Sequence, residues 1–243
     1  MRWRKRGGFL LWCELYLTGV GSSPVAAAPS LFETQNAWQI KRFEGLAESR
    51  YRFETYEDEI RVYAEADHSM SLLIRSLQVD LEDTPYLCWR WQIDHVVTQA
   101  NIKLKSGDDY AARVYVAFDY ADHYDGFWDR LALKAVRSIY GELTPAMAMN
   151  YVWDNSHSIG YSQDNVYTGR NRMLVLQSGN GLAGTWVTEV RDVLADAQQY
   201  LGTSALVAKY IAIASDTDNT GESVRAGFSS LRFVHERNEC DSK

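Results

Sequence analysis

The chain has 243 residues, 46% hydrophobic and 23% charged with only 4 Pro, a balance that supports one compact core, or at most two, and excludes disordered, collagen-like and low-complexity classes. A formal net charge of −7 argues against a nucleic-acid partner, because phosphate neutralisation needs a surplus of Lys and Arg. Aromatic residues make up 13%, enough to fill a core and leave some for contact with a ligand.

Residues 1–28 read as a secretory signal. Arg2, Arg4, Lys5 and Arg6 form a basic start, 7–20 are mostly apolar, and 22–28 are small, with cleavage after Ala27 favoured over Ala28 because Pro29 would adjoin the later cut. Glu14 interrupts the apolar run, so an uncleaved N-terminal anchor is the competing reading, and Trp12 before Cys13 argues against a lipoprotein site. No other stretch of about 18 uncharged apolar residues occurs, so no membrane span is expected after cleavage. Cleavage removes four basic residues and one acidic one, leaving 21 Lys and Arg against 31 Asp and Glu, a net of −10. A periplasmic or secreted chain with a single domain over 29–243 is expected.

Beyond the signal the apolar period is two. Residues 50–55 and 59–66 alternate around the turn Tyr56-Glu57-Asp58 and read as a hairpin; further strands are expected at 71–81, 86–95, 110–120, 147–153, 173–178, 185–191, 205–215 and 223–234. Helical spacing is confined to 125–140, with Trp128, Leu131, Ala135, Val136 and Ile139, and to 192–201, with Leu194, Ala197 and Leu201. About ten strands without regular helical crossovers predict an all-β fold, an antiparallel β-sandwich of jelly-roll type with two short packing helices.

Alternation also sorts the faces. Leu87, Trp89, Trp91 and Ile93 point one way and Arg90 the other; Val114, Val116 and Phe118 point one way and Arg113, Tyr115 and Asp119 the other. A strand face carrying Arg and Tyr suits a sugar, whose apolar ring face stacks on an aromatic while charged groups bond its hydroxyls. The plain alternative is a solvated face of Arg–carboxylate pairs. Lys105, Asp108 and Asp109 precede Arg113 in one dense polar segment, and Glu189 and Arg191 share a face in another, where acid–base chemistry competes with a structural charge network.

Other motifs fail on context. Gly179-Asn-Gly181-Leu-Ala-Gly184 runs into a β-branched stretch and not into the helix N-terminus a dinucleotide site needs, so it reads as a hairpin turn. The five histidines have no triad spacing, and no zinc-type Cys/His cluster occurs. The loop at 216–222 starts like an EF-hand, but position 12 falls on Gly227 where a bidentate Glu is required. What stays open there is a structural calcium site on Asp216, Asp218, Asn219 and Thr220, or a polar turn capping its own backbone. Cys88 and Cys240 either form a disulfide or leave Cys88 buried and unpaired.

Five ordered motifs carry a resemblance: Leu87-Cys-Trp-Arg-Trp91; Lys105-x-Gly107-Asp108-Asp109 leading to Arg113 and Phe118; Tyr151-Val-Trp153; Trp186-x-x-Glu189-x-Arg191-Asp192-Val193; and Asp216-x-Asp218-Asn219-Thr220-Gly221. Together, from about Trp38 to Phe233, they resemble the bacterial family called domain of unknown function 3047. The resemblance implies exported proteins of Gram-negative bacteria with a β-sandwich and no established activity. Asp192 and Ala197 depart from the Asn and the aromatic residue that the family leads one to expect, which weakens a catalytic role for Asp192. The segment 216–221 between two strands is also similar to the last hairpin of galactose-binding-type jelly rolls, an analogy of fold only.

Three functions follow. The first is an exported, non-catalytic module for a carbohydrate or envelope glycan, contacted by residues drawn from Arg90, Lys105, Asp108, Asp109, Arg113, Tyr115, Trp153, Glu189 and Arg191. The alternative is a periplasmic polysaccharide lyase or glycoside hydrolase in which Lys105, Asp108, Arg113, Glu189 and Arg191 converge on one cleft. The third is a structural envelope protein. None requires a cofactor, a structural calcium staying open, and the sequence does not address oligomeric state.

Overall fold

The computed structural model describes residues 28–122, 125–140 and 144–241; residues 1–27 of the expected signal lie outside them. Among the described residues, twelve strands form two sheets. The first has seven: β1 (Trp38–Arg42), β4 (Ser71–Asp80), β11 (Leu206–Ala214), β6 (Arg113–Tyr120), β7 (Met147–Asp154), β9 (Thr168–Ser178) and β8 (Ser162–Asn165), in that spatial order. The second has five: β10 (Val187–Asp192), β5 (Tyr86–Ile93), β12 (Ser223–Val234), β3 (Glu59–Asp67) and β2 (Arg50–Tyr56).

The expected sandwich is present because one face of each sheet is apolar. Val114, Val116 and Phe118 of β6 and Leu87, Trp89, Trp91 and Ile93 of β5 meet in one buried cluster, with ring centroids 5.5 Å apart for Trp89–Tyr151 and 5.7 Å for Trp91–Trp153. Full burial of each Phe, Leu or Ile side chain stabilises by about 1.5–3 kcal/mol, so the two inner faces set which way every strand faces. Helix α1 (Phe127–Tyr140) adds Leu133 to this core, and α2 (Val193–Leu201) adds Val193 and Ala197. Asp192 is the N-cap of α2, its side chain accepting the Ala195 N–H at 2.9 Å, and Gly202 closes the helix at φ 73°.

The structure corrects several expectations. β1 and β8 were not expected: β8, Ser-Gln-Asp-Asn, carries no apolar alternation. The polar start of β9 likewise hides the residues before Met173. The sandwich is not wholly antiparallel. β8 runs along the outer edge, and β9 returns between it and β7, parallel to β7. The glycine-rich turn is not a hairpin, since it carries the chain from β9 in one sheet to β10 in the other, and the 216–222 loop likewise crosses from β11 to β12. Cys88 and Cys240 are joined, closing a separation of 152 residues. In a chain-entropy picture a loop of that size contributes about 5 kcal/mol.

On the outer face of the seven-stranded sheet, Arg113, Tyr115 and Ala117 of β6 lie beside Val152, Asn150 and Ala148 of β7. The connection from β5 to β6 folds back over part of this face, where its Ile102 and Tyr110 pack on Val152, Met173 and Val175 as a separate cluster. That covering leaves a bounded cavity beside Arg113.

Candidate functional site: a pocket beside a saturated arginine

Arg113 is the first residue of β6, points outward from the sheet, and is 2% exposed. All five of its N–H groups are engaged. Nε donates to Asp216 Oδ1 at 2.8 Å and Nη2 to Asp216 Oδ2 at 2.5 Å, Nη1 reaches Tyr115 Oη at 3.1 Å and Asp108 Oδ1 at 3.4 Å, and Nη2 also donates to the Asp108 carbonyl. The guanidinium lies over the Tyr110 ring, 4.3 Å from its centroid. Burial works against its charge, but Asp216, Tyr115 and Asp108 outweigh burial and push its pKa up, so it stays a cation. Burial raises the Asp216 pKa, against the pull of Arg113 and with the push of Asp109 and Asp108.

Gly107 makes this geometry accessible: a Cβ there would lie 2.7 Å from the Asn101 backbone nitrogen, so the turn that delivers Asp108 and Asp109 closes only around a glycine. Asp109 is buried and accepts the N–H groups of Asn219, at 3.1 Å, and Thr220, at 2.6 Å, and the Asn219 side-chain amide at 3.0 Å. The 216–222 loop is therefore a turn wrapped around the Asp109 carboxylate. Of the four residues expected to hold calcium, Asn219 and Thr220 present N–H groups to the cluster and Asp216 has both oxygens on Arg113. Oxygens of Asp109, Asp216 and Asp218 do lie within 4.8 Å of one another. Calcium takes about six to eight oxygen ligands, and of these three carboxylates only Asp218 is free of donors from other residues among those described. Burial and then Asp109 push the Asp218 pKa up.

Asp108 Oδ2 accepts the Asn165 amide at 2.9 Å, and Asn165 Oδ1 accepts the Tyr167 N–H at 3.0 Å, which sets Tyr167 at the tip of the β8–β9 turn. The Tyr167 hydroxyl donates to the Lys105 carbonyl at 3.2 Å, and the Lys105 ammonium sits 5.0 Å from its ring centroid. Asp108, Asn165 and Tyr167 form one wall of a cavity of about 440 Å³. Phe43, Leu46, Met70 and Leu72 supply an apolar wall, and Tyr115, Asn171 and Asp218 also line the space. Tyr167 is 56% exposed, Leu46 43% and Phe43 37%.

Of the nine residues expected to contact a ligand, the structure gathers Lys105, Asp108, Asp109, Arg113 and Tyr115 around this pocket. It separates the rest. Arg90 lies on the outer face of the opposite sheet, 3.6 Å from Glu59 and 5.5 Å from the Trp186 ring. Trp153 is 1% exposed in the core, its Nε1 donating to the Gly179 carbonyl at 3.0 Å, so it is not a ligand contact. Glu189 points between the sheets and accepts Trp91 Nε1 at 3.1 Å and Gln177 Nε2 at 2.8 Å. Arg191 donates to Asp196 at 2.9 Å, beside the Tyr151 hydroxyl. The single cleft of Lys105, Asp108, Arg113, Glu189 and Arg191 does not form, because β10 turns its charged pair inward. Phe43, Leu46, Asn165, Tyr167 and Asn171 were missed. They sit in the loop after β1, in the edge strand β8, in the β8–β9 turn and in the polar start of β9, none with apolar alternation, and only an aromatic at a polar turn tip, Tyr167, offered a signal.

A family model described as "Protein of unknown function (DUF3047)" matches residues 36–232. No curated protein matches the sequence. Similar solved structures include the endoglucanase Cel12A from Rhodothermus marinus, at TM-score 0.43 and 8% identity, covering 82% of this chain and 94% of that one. Another is the Trichoderma harzianum endoglucanase 3 from family GH12, at 0.42 and 8%, covering 81% and 92%. A third is a family 12 xyloglucanase from Bacillus licheniformis in complex with ligand, at 0.39 and 9%, covering 82% and 99%. Similarity at this level assigns no residue a role.

Proposed function

Because the chain belongs to the family described as protein of unknown function (DUF3047), a description that assigns no activity, we propose a function from the pocket itself: an exported module that binds a carbohydrate unit without cleaving it. The observation that carries this reading is the contrast within the pocket. Apart from Asp218 its charged groups are spent on one another or on Asn165, whereas Tyr167, Phe43 and Leu46 stand exposed at its rim. Exposed aromatic and aliphatic groups around a concave polar floor suit the apolar face of a sugar ring. The volume suits a small ligand or the end of a chain, since the β5–β6 connection covers the neighbouring part of the sheet face. Export is read from the basic, apolar and small-residue order of 1–28.

Glycoside cleavage by the common route needs two carboxyl groups free to act as acid and as base or nucleophile. Asp108, Asp109 and Asp216 are held by Arg113, Asn165, Asn219 and Thr220, which leaves Asp218 without a free partner. The runner-up, hydrolysis, rests on Asp218 as a general acid, its pKa raised by burial. Screening soluble glycans by thermal shift, together with a reducing-end assay, separates the two. Binding that Phe43→Ala weakens, with no new reducing ends, supports the module; release of reducing ends that Asp218→Ala abolishes supports the enzyme.

A further inference from the structure

We propose that the pocket selects a glycosyl unit bearing a protonated amine and turns away uronates, an inference that rests on the carbohydrate reading above. The selectivity follows from an inventory of unspent groups. Arg113, the cation lining the cavity, has no N–H left for a ligand carboxylate. Lys105 is not among the residues lining the cavity, its ammonium lying 5.0 Å from the Tyr167 ring centroid. Acceptors, in contrast, remain: the Asp218 carboxylate and Asn171 line the space, and the buried Asn171 Oδ1 has no hydrogen-bond partner. An unpaired buried acceptor gains from a ligand donor that satisfies it.

Charge points the same way. Asp108, Asp216 and Asp218 line the cavity against the one guanidinium of Arg113, with Asp109 beside Asp216 and Asp218 and the Lys105 ammonium at the Tyr167 ring, so carboxyl groups outnumber cations there. An added carboxylate meets uncompensated like charge, whereas an ammonium beside Asp218 relieves it. A neutral hydroxyl can also donate to Asp218 and Asn171, but without the charge. The amine contributes a charge-assisted bond, worth about tenfold or more in affinity over its neutral counterpart.

The test is calorimetric titration with three disaccharides: β-1,4-linked glucosamine, its N-acetylated form, and a glucuronate-containing one, at about pH 6, where the amine is protonated. The amine form is expected to bind at least about tenfold more tightly than the acetylated form, the uronate is expected not to bind, and Asp218→Asn is expected to bring the first ratio close to one. If amine and acetylated forms bind equally, or the uronate binds best, the selectivity is overturned while the carbohydrate reading stands. If none of the three binds, the carbohydrate reading falls and the inference falls with it. If calcium chloride alone displaces the amine sugar, the acceptors belong to a metal site and the proposal is overturned.

Discussion

Arg113 forks over Asp216, Nε to Oδ1 at 2.8 Å and Nη2 to Oδ2 at 2.5 Å, with both side chains 2% exposed. The pair ties the start of β6 to the end of β11 and, through Asp108, holds the β5–β6 connection on the sheet face. Breaking a buried ion pair by removing one partner costs about 3–5 kcal/mol, because the surviving charge is left uncompensated. Arg113→Met should therefore lower the urea midpoint steeply, and Arg113→Lys should rescue little of the loss, since an ammonium cannot fork over a carboxylate. Wild-type stability in Arg113→Met would show that the cluster is not a structural keystone.

The Cys88–Cys240 bridge ties β5 to the segment after β12. Cys88→Ser, or reduction of the wild type, should cost about 2–5 kcal/mol in chemical denaturation. Equal midpoints with and without reductant would mean the bond constrains little in the unfolded chain.

Glu189 supplies a pH signature. Burial raises its pKa, with the donors Gln177 and Trp91 opposing. A carboxyl whose folded pKa lies above its unfolded value stabilises most when protonated, and that contribution is lost as pH rises through the folded pKa. Glu189→Gln keeps an acceptor for both donors and does not titrate. The melting temperature of the variant minus that of the wild type should therefore grow from about pH 4 toward neutrality; a flat or shrinking difference would contradict a buried, ionised Glu189.

The 216–222 loop bears on calcium. With Asn219 and Thr220 donating to Asp109, and Asp216 bound by Arg113, dialysis against a chelator followed by added calcium should leave the melting temperature unchanged. A rise on calcium addition that Asp218→Asn removes would restore the metal site.

How far the sequence carried depended on where apolar alternation existed. β5 and β6 were legible because Trp89, Trp91, Val114 and Phe118 must face a core, and the same alternation placed Arg113 and Tyr115 outside it. β8, with no apolar residue, was not legible, nor was the parallel return of β9, which depends on pairing between distant segments. Periodicity assigns a face within one sheet but not which sheet a strand joins. Arg90 and Arg113 therefore looked alike, yet lie on opposite sides of the molecule. Trp153 was misread although alternation with Met149 and Tyr151 places its indole on the core face; the extra residue at the register shift between Val152 and Trp153 lies in β9. Tyr167, Phe43 and Leu46, the exposed rim, lie in turns and loops where sequence pattern says little about direction.

Affinity-gel electrophoresis tests the pocket most directly, run with wild type, Tyr167→Ala and Arg90→Ala on a glycan that retards the wild type. Arg90 sits on the opposite sheet and serves as the control. Loss of a stacking aromatic should weaken binding by about tenfold, so Tyr167→Ala is expected to run almost free while Arg90→Ala is retarded like the wild type. Equal retardation of Tyr167→Ala and wild type, or a loss seen only in Arg90→Ala, would contradict a carbohydrate site in this pocket.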